Sequence, residues 1–326
     1  MKKIINVILA CLIAFGCIGV VSCSNNKNNQ NDKLSVVCTI FPEYDWVKEI
    51  LGENMNNVEL TLLIDNSVDL HSYQPSVQDI ATISACDMFI YVGGESDSWV
   101  DNALKTVTNK NLKVINLLES LGDKAKTEEP IEGAENGHDH DHEHEEELDE
   151  HVWLSLKNAE ILCKKIVSEL SGIDGKNAAV YQKNFSVYKE KLTALDNDYL
   201  SAVCAAKYKT LVFGDRFPFR YLADDYNLKY YAAFSGCSAE TEASFETIVF
   251  LAGKVDELSL PAVCTIEGAK HKIAQTVRDN TSAKNQKILT FDSMQSVSSN
   301  DIKNGVSYLS VMENNLKTLK IALGLN

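Results

Sequence analysis

With 326 residues, a formal net charge of −15, and 45% hydrophobic against 24% charged residues, the chain has a globular composition and room for two lobes. The acid excess argues against a nucleic-acid partner, because phosphate binding needs a basic surface. It suits a protein that works among cations.

The chain opens with Lys2 and Lys3, then a mostly apolar run from Ile4 to Val21 that ends in Val20-Val21-Ser22-Cys23. A basic start, an apolar core and a small residue before the cut are the parts of a secretory signal. The run is near the minimum length of a membrane span, so a transmembrane anchor is the competing reading. Val-Val-Ser-Cys resembles a bacterial lipobox, in which Cys23 becomes the lipidated first residue. Residues 1–22 are thus read as a lipoprotein signal peptide. Residues 23–33, which include SNNKNNQNDK, are read as a flexible tether.

From residue 34 short apolar runs alternate with helical patterns. Leu34–Ile40, Val58–Ile64, Met88–Val92 and Val114–Leu117 read as strands, with helices through Trp46, around Val77–Ala85 and near Trp99–Val107. β-branched and aromatic runs separated by helices predict a parallel α/β sheet. This first lobe covers 34–170 and carries an aperiodic acidic stretch, 119–150, read as an inserted surface loop. Ser155 is the expected N-cap of the next helix, which runs to about Ser171.

A longer helix is predicted from Asp174 to about Ala206, with Val180, Phe185, Tyr188, Leu192 and Leu195 at helical spacing and no proline. Roughly thirty residues rise about 45 Å, more than one lobe needs, so 171–206 is read as a backbone helix between lobes. The second lobe, 207–326, repeats the rhythm. Its strands are Thr210–Phe213, Tyr230–Phe234, Ala262–Ile266 and Ile288–Phe291, with a last helix from about Ser307 to Ala322. The fold class is therefore α/β: two (β/α) lobes with parallel sheets, joined by one long helix, around a cleft.

Between Gly137 and Asn158 the sequence reads GHDHDHEHEEELDEHVWLSLKN. His138, His140, His142 and His144 alternate with carboxylates, and His151 follows where the helical pattern begins. Imidazole is a preferred Zn²⁺ ligand at neutral pH, and such a tract is a metal-binding composition. Cys38, Cys86, Cys163, Cys204, Cys237 and Cys264 are scattered without a CxxC pair, so a thiolate zinc ribbon is unsupported. Several lie in apolar contexts, where a small buried hydrophobe is the default. Export permits disulfides, but the sequence does not pair them.

In open parallel sheets ligands bind beyond the carboxyl ends of the strands. At those ends lie Asp65, Asp69 and His71, then His151, Asp215 with Arg216, Glu267 and Asp292. A first-row metal needs three or four converging N/O ligands, and His71, His151 and Asp292 can supply three.

Four pieces carry a resemblance: Asp69-Leu70-His71-Ser72-Tyr73-Gln74-Pro75-Ser76, Asp149-Glu150-His151-Val152-Trp153-Leu154-Ser155, the long helix beginning Asp174-Gly175-Lys176-Asn177-Ala178-Ala179, and Phe291-Asp292-Ser293. In these the chain resembles, from Cys23 onward, the solute-binding lipoproteins of bacterial zinc and manganese ABC importers. The His-rich tract looks like the zinc branch. The resemblance implies His71 and His151 as metal ligands from the first lobe and Asp292 from the second, two lobes around a cleft, and limited hinge motion.

One position departs. The family's third ligand, a His or Glu, falls just after Thr210–Phe213, where this chain has Gly-Asp-Arg-Phe-Pro-Phe-Arg. Aligning on Phe219-Arg220-Tyr221 puts Arg216 there, and a guanidinium cannot bind a cation. Asp215 is the nearest substitute, with Glu240, Glu242, Glu267 or water as alternatives. His271 is read as a surface residue.

The expected function is capture of Zn²⁺ outside the cytoplasm and delivery to an ABC-importer permease, by a monomer held to the membrane by lipid, with the His/acid loop as an auxiliary zinc collector. Manganese is the alternative cargo, and an adhesin of the same fold the alternative role. A metallohydrolase is disfavoured because no HExxH motif or Gly-x-Ser-x-Gly elbow is present.

Overall fold

The computed structural model describes residues 33–133, 147–238, 242–268 and 270–325. Cys23, the histidines 138–144 and Glu240 lie outside the described residues.

The first sheet is built from β1 (Leu34–Cys38), β2 (Val58–Leu62), β3 (Met88–Tyr91) and β4 (Lys113–Asn116), in the order β2-β1-β3-β4. All its pairings are parallel. Parallel neighbours need crossovers, and these are α1 (Phe41–Leu51), α2 (Val77–Ala85) and α3 (Val100–Leu104), with α4 (Leu117–Leu121) following β4. The chain then runs through α5 (Leu156–Ile173) and α6 (Ala178–Ala205). The second sheet contains β5 (Thr210–Arg216), β6 (Lys229–Phe234), β7 (Ala262–Ile266) and β8 (Lys287–Phe291). Its order, β6-β5-β7-β8, repeats the first, again all parallel. Around it lie α7 (Arg220–Asp225), α8 (Phe245–Glu257), α9 (Lys272–Asp279), α10 (Ser299–Lys303) and α11 (Tyr308–Ala322). Among the described residues no helix is long and apolar enough to cross a membrane.

Each sheet buries both faces, and strand alternation assigns the faces to different cores. Val36, Cys38, Met88 and Ile90 enter one large core, while Val37 and Phe89 enter a smaller one with Ile83 and Val100. In the second sheet Leu211, Phe213 and Cys264 join the same large core, and Val212 and Val263 pack outward under α8 and α9. The large core is therefore shared between lobes, and Leu34–Asn326 forms one compact unit.

The long helix is the spine of that shared core. Tyr181, Phe185, Tyr188, Leu192, Leu195, Tyr199 and Ala202 are buried, spaced alternately four and three, which lays one apolar stripe along the helix. Its 28 residues rise about 42 Å. Asn184 Nδ2 donates to the Ile50 carbonyl at the end of α1 (2.9 Å), and Tyr199 Oη to the Met312 carbonyl of α11 (2.6 Å). The spine is thus bonded to both lobes. It begins later than the sequence suggests, because Gly175–Asn177 forms a 3₁₀ turn first.

A second correction concerns residues 119–150, expected as a surface loop. Its start lies in α4, Thr127 and Leu148 form an antiparallel bridge, and Asp149 and Glu150 are buried. Aperiodic acid content marks the middle of the stretch, not its anchored ends. Ser155 caps α5 as expected, accepting from the Asn158 N–H (3.1 Å). Among the described residues every cysteine is free. Cys38, Cys86, Cys163 and Cys264 are buried, Cys204 is exposed, and Cys237 is half-buried.

Three side chains tie the lobes together beside the cleft. Trp153 Nε1 donates to the Ser293 carbonyl (2.8 Å), and Tyr308 Oη to the Trp153 carbonyl (2.7 Å). The Asp45 carboxylate accepts from the Tyr308 N–H (2.8 Å) at the start of α11, and Trp46 meets the Tyr308 ring edge-on (5.3 Å). Trp153→Phe leaves the Ser293 carbonyl without its donor in a buried site, a loss of about 1–3 kcal/mol. Urea denaturation should show a lower midpoint with an unchanged slope; an unchanged midpoint would remove this tie from the fold's support.

Candidate metal centre

The centre is assembled where strands of both sheets end. After β2 the chain makes a 3₁₀ turn, Leu70–Ser72, capped by Asp69, whose Oδ1 accepts from the His71 N–H (3.0 Å). The cap aims the His71 ring into the cleft. His71 Nδ1 lies 2.7 Å from Ser96 Oγ and 3.5 Å from Glu150 Oε2. Glu150 reaches that place through the glycine turn after β3. Gly94 has φ +80°, and a Cβ there would lie 2.4 Å from Glu150 Oε1, so a residue with a side chain would evict the carboxylate. Glu150 Oε1 also accepts from the Ser96 N–H (2.8 Å).

His151 precedes the 3₁₀ turn Val152–Leu154 and is fully buried. Asp149 Oδ1 accepts from its backbone N–H and contacts its ring Nδ1, both at 2.9 Å. Both imidazoles therefore have Nδ1 against oxygen partners, a carboxylate at His151 and a hydroxyl at His71, an arrangement that favours the proton on Nδ1 and Nε2 as the lone-pair donor. The two Nε2 atoms face each other at 3.2 Å. Tetrahedral zinc with Zn–N bonds of about 2.0–2.1 Å sets its nitrogens about 3.3–3.4 Å apart, so the pair already forms one edge of such a site. Burial, then the neighbouring His151, pushes the His71 pKa down, so the ring is neutral and free to donate a lone pair.

Gln295 Nε2 sits against both lone pairs, 2.9 Å from His71 Nε2 and 2.7 Å from His151 Nε2. Ser293 Oγ, which also contacts Glu267 Oε1 (2.5 Å), holds the Gln295 oxygen on the other side (3.1 Å). An amide N–H₂ is donor-only, which agrees with two acceptor Nε2 atoms.

His71 and His151 share a group of potential ligand atoms, all within 4.8 Å of one another, with a third member, Cys237 Sγ. Neither Asp292 nor Asp215 belongs to that group. Asp292 lies at the end of β8, where its Oδ1 accepts from the Met294 N–H (2.8 Å) and Asn315 clamps its backbone on both sides. Burial raises the pKa of both Asp292 and Glu267, and the Asp292 charge adds to the rise at Glu267. Asp215 is turned elsewhere. Its Oδ2 accepts from Thr265 Oγ1 (2.6 Å) across the β5–β7 pair, beside a register irregularity of β5 between Phe213 and Arg216.

Arg216 crosses the cleft and pairs with Asp69, the residue capping the His71 turn. The guanidinium thus stands beside the site as a latch between lobes. Glu267 accepts from Ser293, and His271 Nδ1 contacts Thr265 Oγ1 (3.1 Å). Neither is a member of the ligand group among the described residues. Cys237, Gln295 and Ser96 were not singled out from the sequence. Cys237 does follow a strand end, in the polar context Ser-Gly-Cys-Ser, so the strand-end rule applied to cysteines would have found it.

Residues 36–322 match the family model described as zinc-uptake complex component A, periplasmic. The zinc-binding lipoprotein AdcA of Streptococcus pneumoniae serotype 4 (strain ATCC BAA-334 / TIGR4) is 35% identical over 324 residues, covering 98% of this chain and 61% of that protein. The chain thus spans about three fifths of that relative's length. The high-affinity zinc uptake system protein ZnuA of Bacillus subtilis (strain 168) is 30% identical over 321 residues, covering 97% of this chain and 96% of that one. The crystal structure of the Zn(II)-bound ZnuA-like domain of Streptococcus pneumoniae AdcA superposes with a TM-score of 0.70 at 30% identity, over 89% of this chain and 99% of that domain. With this match and these similarities over nearly its whole length, the chain belongs to the ZnuA family of zinc-uptake complex components.

Proposed function

We propose that this protein captures Zn²⁺ in the cleft between its lobes and delivers it to an ABC-importer permease, as a carrier and not as an enzyme. The observation that carries the reading is the buried His71/His151 pair, with Nε2 atoms 3.2 Å apart and both Nδ1 atoms against oxygen partners. Water is largely excluded there, so a metal would meet ligands already oriented. His71 and His151 are the proposed first-lobe ligands and Asp292 the proposed carboxylate from the second lobe. Asp215 is the weaker choice, because Thr265 already engages it. The names of the relatives, a zinc-binding lipoprotein and a zinc uptake protein, support zinc over manganese as cargo.

The histidines 138–144 are proposed as an auxiliary, weaker zinc site that feeds the cleft. Cys23 is the proposed lipidation site, residues 1–22 the signal peptide and 23–33 the tether. On this reading the folded part, from residue 34, works at the extracytoplasmic face of the membrane.

Competitive zinc titration of the chain from Ser24 onward tests the cleft. One tight Zn²⁺ per molecule is expected, retained when residues 137–147 are deleted and weakened by more than about 100-fold in His71→Ala/His151→Ala, since even hydrogen-bond partners of ligands carry 10–100-fold. Tight binding that disappears with the deletion and ignores the two histidines would sink the cleft reading. The anchor is tested separately. Cys23→Ala should move the full chain from the membrane fraction to the soluble or unprocessed pool; unchanged membrane extraction with detergent would count against lipidation at Cys23.

A further inference from the structure

We propose that Cys237 is a ligand of the captured metal, binding Zn²⁺ through its thiolate from the second lobe. The proposal deepens the zinc-capture reading and rests on it.

Its first support is position. Cys237 Sγ and the His71 and His151 ligand nitrogens all lie within 4.8 Å of one another, and this is the only such group among the described residues. Zinc bound at about 2.3 Å to sulfur and 2.0–2.1 Å to nitrogen sets S and N about 3.6 Å apart. Closing the site therefore asks about 1 Å of movement from a side chain on a turn.

The second support is how that turn is held. Gly236 lies directly against the His151 ring: a Cβ there would stand 3.0 Å from Cε1 and 3.2 Å from Nδ1. A bulkier residue would press on the imidazole and push the following Cys237 away from it. The Cys237 backbone N–H donates to Glu128 Oε1 (3.1 Å), and the Glu128 N–H donates to the Glu147 carbonyl (2.8 Å). The turn is thus tied to the segment that leads through Asp149 to His151.

The third support is that the end of β5 offers the histidines no competing ligand atom among the described residues. Arg216 stands there, donor-only and paired with Asp69. Of the other described cysteines, Cys38, Cys86, Cys163 and Cys264 are buried and Cys204 is exposed, and none of them is a member of the ligand group. Among the described residues Cys237 alone offers its sulfur to the histidines.

Binding releases the thiol proton to solvent as the Zn–S bond forms, and Gln295 withdraws from the two Nε2 atoms. With the Asp292 carboxylate as fourth ligand, thiolate and carboxylate neutralise the dication inside the cleft. A soft sulfur ligand also favours Zn²⁺ and Cd²⁺ over Mn²⁺, so Cys237 is a selectivity determinant.

Cobalt reports sulfur ligation directly. One equivalent of Co²⁺ added to the chain from Ser24 onward should give thiolate-to-cobalt charge-transfer absorption in the near ultraviolet. The band should vanish in Cys237→Ser and persist in Cys204→Ser. Cys237→Ser should weaken Zn²⁺ binding at least about tenfold, a loss that hydrogen-bond partners of ligands alone can cause. Cys237→His should restore zinc binding without restoring the band. Thermal unfolding of each variant without metal checks that the fold survives, and the wild-type band needs no variant at all. A one-to-one Co²⁺ complex that depends on His71 and His151 yet lacks the band, with zinc affinity unchanged in Cys237→Ser, overturns the sulfur ligand and leaves the capture reading standing. Zinc binding indifferent to His71 and His151 overturns both.

Discussion

The indole of Trp153 ties the two lobes together beside the paired histidines. It lies two residues beyond His151, and its N–H donates to the carbonyl of Ser293, next to Asp292. Tyr308 returns the connection by donating to the Trp153 carbonyl, and the Asp45 carboxylate receives the Tyr308 N–H at the head of the last helix. Because these groups are buried, each bond broken leaves a polar atom without water, at a cost of about 1–3 kcal/mol. Relative movement of the lobes near the site would break several at once. The shared hydrophobic core adds to that resistance, since Leu211 and Phe213 of one sheet pack into the same core as Val36 and Cys38 of the other. The cleft is held close to one width, with small adjustments left to the turns that line it.

Within that frame, oxygen partners decide which nitrogen of each histidine faces the other ring. Asp149 occupies Nδ1 of His151, and Ser96 with Glu150 attends Nδ1 of His71. The lone pairs that remain converge on one point. An amide N–H₂ from Gln295 occupies that point, which satisfies two acceptors that would otherwise repel each other. The carboxamide and a cation would compete for the same lone pairs.

The Arg216–Asp69 pair accounts physically for a guanidinium beside the paired histidines. A guanidinium at the mouth of a cation site is unfavourable by charge, yet here it is neutralised by the residue that caps the His71 turn. The same bond joins the lobes across the cleft. Arg216 Nη1 also reaches the Ser238 carbonyl (3.5 Å), on the turn whose Gly236 lies against the His151 ring.

How much of this was legible beforehand follows the range of the interactions involved. Strand runs, the cap at Ser155, and the long amphipathic spine are local patterns, and period and capping chemistry are written residue by residue, so the sequence by itself determined two parallel α/β lobes and a helix between them. It also singled out His71 and His151, whose Nε2 atoms the fold brings to 3.2 Å, because each sits in a polar motif at a strand end. The sequence did not reveal that the acidic stretch ends in the buried Asp149 and Glu150, since Glu150 is held at the glycine turn of Gly94, far away in the chain, and Thr127 bridges Leu148 across the stretch. Nor did it reveal that Asp215 turns to Thr265, that Arg216 reaches Asp69, or that Cys237 and Gln295 close on the histidines. Those pairings join residues 50 to 224 positions apart. Only the tertiary structure decided them, because the geometry of a metal site is set by where two sheets come to rest against each other and not by the spacing of residues along either one.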